Sequence, residues 1–225
     1  MNTLNTGEGL PDIFYVIMNG REPWWVRHNF SLTSRMYAAS IQNALISEST
    51  RAKYLNGDMD YIPLHINHNT DMRTPSSFSS RIIAQYAVDL NSELYRRSHE
   101  NTKIYPSRLG CVFAFGDEAS AMQALEDWNM GFDVNIIEKF RLVDIGVLPT
   151  RVVKVNAQIP NFLWNHQAGM IFQADQNELL WQMYWSGSTG DGITVPDTAN
   201  HGSEVTLKND VIWEYLIDGC LELVE

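Results

Sequence analysis

The chain has 225 residues, 44% of them hydrophobic and 19% charged, a soluble globular balance with enough apolar surface for one sizeable core. A formal net charge of −11 and a pI near 4.9 exclude a broad electrostatic grip on nucleic-acid phosphates, though not a local basic groove. No apolar run reaches the roughly 20 residues that span a bilayer, and residues 1–9 lack the layout of a secretion signal, so the expectation is a cytoplasmic, membrane-free protein.

The first element expected is a strand, Ile13-Phe14-Tyr15-Val16-Ile17, closed by Asn19-Gly20 and central in its sheet. Arg21 and Arg27, around Pro23-Trp24-Trp25, are weaker phosphate candidates that read equally as a solvated loop. From about residue 30 to 100 the spacing turns helical. Met36, Ala39, Asn43 and Ala44, and later Ile82, Ile83, Tyr86, Ala87, Leu90 and Leu94, suggest two or more amphipathic helices separated by a loop from Asn56 to Pro75. Within that loop His65, His68 and Asp71 have metal-ligand spacing, but Pro63 and the Asn-rich setting favour a polar surface loop, and no metal site is assigned. The Ser-rich run from Thr74 to Ser80 reads as a loop and helix entry.

After Pro106 the pattern is strand-rich. Arg108 to Phe115 forms an apolar run, and Gly116-Asp117-Glu118 opens a helix to Trp128 with Ala121, Met122, Leu125 and Trp128 on one face. Strands are expected over Lys139 to Ile145 and Arg151 to Val155. Asp175 and Glu178 resemble a capping box before a helix with Leu179, Leu180, Met183 and Tyr184 on one face. Trp181 and Trp185, one turn apart on that helix, suit either core packing or an aromatic wall. The Gly-rich stretch from Ser186 and the polar segment to Ser203 are long enough for a lid or a recognition loop. Cys111 and Cys220, each in an apolar run, read as two reduced core thiols.

The chain closes on Trp213-Glu214-Tyr215-Leu216-Ile217, a turn at Asp218-Gly219, and a last apolar run in which Glu222 is the polar interruption. Glu214 stands at the entrance of an apolar strand, where Trp213 and Tyr215 could shield it and wall a flat ligand. The plainer alternative is a solvated edge charge.

Three segments together, Tyr105-Pro106-Ser107-Arg108-Leu109-Gly110-Cys111-Val112-Phe113-Ala114-Phe115, Tyr184-Trp185-Ser186-Gly187 and Trp213-Glu214-Tyr215-Leu216-Ile217, resemble the ADP-ribosyltransferase superfamily. The similarity is to bacterial and phage-associated members with a Pro-Ser-Arg strand and a terminal Glu-bearing strand. It covers the last half of the chain and the first strand. It implies an α+β fold: a split antiparallel β-sheet clasping NAD, in a single domain over 1–225, with a mainly helical insertion over 30–104. It further implies Glu214 as the catalytic carboxylate and Tyr15, Ser107, Arg108, Phe115 and Trp185 as the residues around NAD. Tyr15 stands where relatives carry His or Arg. Arg108 suits either the pyrophosphate or an ion pair with Glu93 or Asp117.

The implied activity is transfer of ADP-ribose from NAD, without a metal, to a macromolecular acceptor, either a protein or a single-stranded nucleic acid. The implied setting is a toxin or effector in conflict between bacteria and phage, with an antitoxin or chaperone as a fitting partner. Two other readings use the same residues: a non-enzymatic interaction protein with an aromatic binding face, and an NAD glycohydrolase with water as acceptor.

Overall fold

A computed structural model describes residues 9–19, 49, 52–53, 56, 58, 77–128, 135–143, 150–166, 174–190, 192–197, 203–207 and 211–224. Arg21, Arg27, the helix expected around Met36 to Ala44, and the His65, His68 and Asp71 group lie outside them. The fold is α+β, with a six-stranded sheet, a two-stranded sheet and several helices. Its contacts form two units, Met1–Ile62 with Ile104–Val155 and Ile212–Glu225, and Pro63–Lys103 with Asn156–Val211. The stretch 30–104, expected as an insertion in a single domain, is thus shared between the units, its part from 63 to 103 belonging to the second.

The first unit is built on strands β1 (Phe14–Asn19), β2 (Val112–Phe115), β3 (Asn135–Val143), β4 (Arg151–Asn156), β7 (Trp213–Asp218) and β8 (Cys220–Leu223), in the order β4-β7-β2-β1-β3-β8. The pairings of β1 with β2 and β3, of β2 with β7 and of β3 with β8 are antiparallel. β1 is interior because it alternates large apolar side chains to both faces. Phe14, Val16 and Met18 join Val112, Ala114, Phe140, Val152, Tyr215, Ile217 and Leu221 in one core layer, while Tyr15 and Ile17 point the other way. Helix α2 (Glu118–Trp128) follows β2 and packs on β1, β2 and β3. Its start is fixed by Asp117, whose carboxylate accepts from the Ser120 N–H at 2.7 Å and the Ser120 hydroxyl at 2.8 Å. Ala121 and Ala124 form its buried face, and Met122, expected there, is 44% exposed. The two small residues admit a closer approach to the sheet than Met122 would allow.

The β7–β8 turn is tight. A Cβ built on Gly219 would lie 2.9 Å from Thr150 Cγ2 and 3.4 Å from Thr150 Oγ1, closer than side chains pack. We expect Gly219→Ala to destabilise the protein by about 1–3 kcal/mol through overpacking, and Thr150→Ser, which removes that methyl, to recover part of it in urea denaturation. An Ala variant as stable as the wild type would show that the turn is not tight. Cys220 beyond it is buried, and burial followed by the nearby Glu222 charge pushes its thiol pKa up, away from nucleophilic chemistry. Cys111, expected in the core, is only partly buried, and its thiol donates to the Arg108 carbonyl at 3.8 Å. Neither cysteine is in a disulfide.

The second unit holds helices α1 (Ser77–Ser98), α3 (Gln158–His166) and α4 (Ala174–Trp185), which pack on one another, and strands β5 (Thr194–Asp197) and β6 (Ser203–Thr206). Three of its features depart from the sequence reading. α3 was not expected; Asn156 starts it by accepting from the Gln158 N–H at 3.0 Å. The segment expected as a lid or recognition loop instead contains β5, paired in register with β6 from Thr194↔Thr206 to Asp197↔Ser203. On α4 the buried stripe is Asn177, Leu180, Trp181, Tyr184 and Trp185, leaving Leu179 57% exposed. The rings displace the leucine because they carry more apolar area to bury. Among the described residues no helix is long and apolar enough to cross a membrane.

Of the buried polar side chains of α1, Asn91, Glu93 and Arg96 are paired, whereas the Ser92 hydroxyl has no hydrogen-bond partner among the described residues. Glu93 receives both Arg96 Nε (2.9 Å) and Nη2 (2.7 Å) and also Arg97 Nε (2.8 Å), while Arg96 Nη1 donates to the Lys103 carbonyl at 2.8 Å. The indole N–H of Trp181 donates to Asn91 Oδ1, both residues being buried. Asn91→Ala leaves that N–H without its acceptor and is expected to cost about 1–3 kcal/mol. Thermal or urea unfolding of the variant checks it, and stability equal to the wild type would remove this bond from the account.

Candidate functional site

Glu214 is the second residue of β7, and the register places it opposite Phe115 on β2, which in turn stands opposite Tyr15 on β1. Directly paired residues of antiparallel strands share a face. Tyr15, Phe115 and Glu214 therefore form one row across three neighbouring strands, on the side away from the Phe14–Tyr215 core layer. The row continues to Lys139 on β3, opposite Tyr15, whose Nζ is 5.7 Å from the Tyr15 ring centroid. Phe113, two residues before Phe115, is on the same face and half-buried.

The same alternation corrects one expectation. Trp213 and Tyr215 cannot wall Glu214, because neighbours along a strand point to opposite faces. Tyr215 belongs to the core layer and meets Phe14 edge-on at 5.4 Å, and its ring packs against Gly116, where a Cβ would approach to 3.0 Å. The Trp213 ring takes the Lys154 ammonium at 5.0 Å. Shielding of Glu214 comes from across the sheet instead.

Arg108 reaches this row from the turn before β2. The turn is closed by the Gly110 N–H donating to the Ser107 carbonyl at 3.0 Å and the Leu109 N–H donating to Ser107 Oγ at 3.2 Å, with Ser107 2% exposed. Ser107 thus orients the turn that carries Arg108. The Arg108 Nη1 donates to Glu214 Oε1 at 2.7 Å, with side chains 5% and 3% exposed, and its guanidinium lies over the Phe113 ring at 4.7 Å. Neither partner foreseen for Arg108 is the one it takes: Glu93 binds Arg96 and Arg97, and Asp117 caps α2. Nor is Glu214 a solvated edge charge, since it is 2% exposed.

Of the residues singled out in the sequence, Tyr15, Arg108, Phe115 and Glu214 come together in the first unit, and Ser107 adjoins them. Trp185 belongs to α4 of the second unit, buried and edge-to-face with Tyr184 at 5.0 Å. Phe113 and Lys139 were missed. The i, i+2 spacing of Phe113 and Phe115 was the available signal for the first, whereas Lys139 is visible only once β1 and β3 are in register. What remains is a carboxylate held by a guanidinium beside the buried Phe115, a set that can stabilise a cationic centre or bind an anion only once the pair is parted. No protein-family model and no curated protein matches the chain.

Proposed function

We propose that this protein transfers ADP-ribose from NAD to a macromolecular acceptor, a protein or a single-stranded nucleic acid, in the cytoplasm, as a toxin or effector in conflict between bacteria and phage. The observation that carries the reading is the juxtaposition of Glu214, Arg108, Phe115 and Tyr15, which three separate stretches of sequence contribute to one sheet face. The antiparallel sheet that carries Glu214 supports the reading only coarsely: the resemblance implies a split sheet, whereas β4-β7-β2-β1-β3-β8 form one six-stranded sheet.

In this reaction the bond between nicotinamide nitrogen and ribose C1′ breaks, and its electron pair leaves with neutral nicotinamide. The ribose is left oxocarbenium-like. The Glu214 carboxylate stabilises that charge and orients the acceptor, which attacks C1′ and gives up its proton. The half-buried Tyr15 offers its hydroxyl to the ligand and Arg108 meets the pyrophosphate, while Phe115, only 1% exposed, packs opposite Glu214 instead of facing the ligand. The test is thermal melting with NAD. A ligand that binds only the native state at 100 times its Kd adds about 2.7 kcal/mol of stability, and Tyr15→Phe and Arg108→Ala should each shrink the response. A melting curve unmoved by millimolar NAD would overturn the reading.

A further inference from the structure

We infer that Arg108 is a latch on Glu214 that a diphosphate opens, so that this one residue makes the site selective for diphosphate-bearing ligands. The choice of diphosphate rests on the NAD reading above; the latch itself rests on geometry. Glu214 is covered, and its Oε1 is 2.7 Å from a guanidinium nitrogen. In that state the carboxylate neither reaches a ligand nor offers a net negative field to a developing cation. For Glu214 to act, Arg108 has to leave it or have its charge met by another anion.

Arg108 is built for such a move. It is carried by a short turn rather than by a strand, and its guanidinium rests on the flat, half-buried face of Phe113 at 4.7 Å. An aromatic platform lets the planar group pivot while its stacking is kept. Drawing it from a buried carboxylate requires an anion that binds it better than that carboxylate does. A diphosphate has more than one charge and several acceptor oxygens, and takes the guanidinium fork in parallel hydrogen bonds. A nucleoside or nicotinamide alone offers neither and leaves the latch shut. The pairing that hides Glu214 in the resting protein therefore becomes the contact that admits the substrate.

The test separates the latch from the chemistry. Inorganic diphosphate is titrated calorimetrically into the full-length wild type, Glu214→Gln, Arg108→Lys and the Glu214→Gln/Arg108→Gln double variant, with orthophosphate as the control. Because diphosphate no longer competes with a carboxylate, Glu214→Gln is expected to bind it about tenfold tighter than the wild type. The double variant should lose that gain, and orthophosphate should show little of it. Arg108→Lys, which retains a charge for Glu214 but not the planar fork, is expected to bind diphosphate about tenfold more weakly than the wild type. Equal or weaker binding in Glu214→Gln, tightening that survives in the double variant, unchanged binding in Arg108→Lys, or no binding in any form would each overturn the latch. Nicotinamide release from NAD by the same wild-type preparation reports on the NAD reading alone. Release without the Glu214→Gln tightening removes the latch and leaves the transferase; tightening without release does the reverse.

Discussion

Glu214→Gln is expected to slow transfer of ADP-ribose by about 10²–10³-fold, the loss seen when a preorganised group facing transition-state charge is removed. The substitution keeps the size of the side chain and an oxygen able to accept the 2.7 Å hydrogen bond from Arg108. It removes only the charge. An effect on rate with a modest change in melting temperature would therefore report on the transition state, because packing around Phe115 is preserved. Both substitutions leave the buried Arg108 guanidinium without a carboxylate, but Glu214→Ala also removes the accepting oxygen and the side-chain volume, so it would confuse the two. Nicotinamide release and melting, measured on the same preparation, separate the effects. Full activity in the folded Gln variant would remove Glu214 from the chemistry.

Arg108→Ala is expected to destabilise the fold by about 3–5 kcal/mol, the usual cost of breaking a buried ion pair from one side. The reason is less the lost bond than the stranded carboxyl group: Glu214 is 2% exposed and would lose its guanidinium partner. Removing both charges should cost far less. Replacing Arg108 by Met and Glu214 by Leu together keeps the volume apolar and is expected to recover most of the stability, or exceed the wild type, while abolishing activity. Urea unfolding of the single and double variants measures this directly. A loss under about 1 kcal/mol for Arg108→Ala would mean the pair is wet and weak, as exposed pairs are.

Much of the sheet was legible because strands advertise themselves locally. The β-branched and aromatic run at Phe14 to Ile17 falls inside β1, the expected run from Arg108 to Phe115 is strand only from Val112 with a turn before it, and the Asp218-Gly219 turn separates β7 from β8. Glu214 could be named from its place at a strand entrance, and Tyr15 and Phe115 from the resemblance, each one at a time. Their alignment into a row could not, since register is set by partners far away in sequence. The ion pair of Arg108 with Glu214 spans 106 residues, and the two acidic candidates nearer in sequence, Glu93 and Asp117, gave no sign of it. The misjudged walls at Trp213 and Tyr215 came from treating sequence neighbours as spatial ones, which a strand forbids.

Helices failed differently. For α2 and α4 the period was right but the stripe was off, because several apolar stripes compete within 11 or 12 residues and bulk decides among them. Trp181, Tyr184 and Trp185 took the interior of α4 from Leu179. α3 did carry signals, namely Asn156 ahead of it, Pro160 in its first turn, and Ile159, Phe162 and Leu163 at helical spacing. β5 was hidden by Pro196 and its Gly-rich approach, where Gly190 and Gly192 adopt a φ of 76° that disguises the strand as an open loop.

The most direct measurement of the central claim uses NAD labelled in its adenylate half, incubated with the purified protein and cell extract, with Glu214→Gln in parallel. After removal of small molecules, label should remain in a macromolecular fraction that either protease or nuclease releases, and the Gln variant should leave it at background. Label found only as free ADP-ribose would make water the acceptor and the protein a glycohydrolase. Intact NAD and no retained label, from a wild-type protein shown to be folded, would contradict the account.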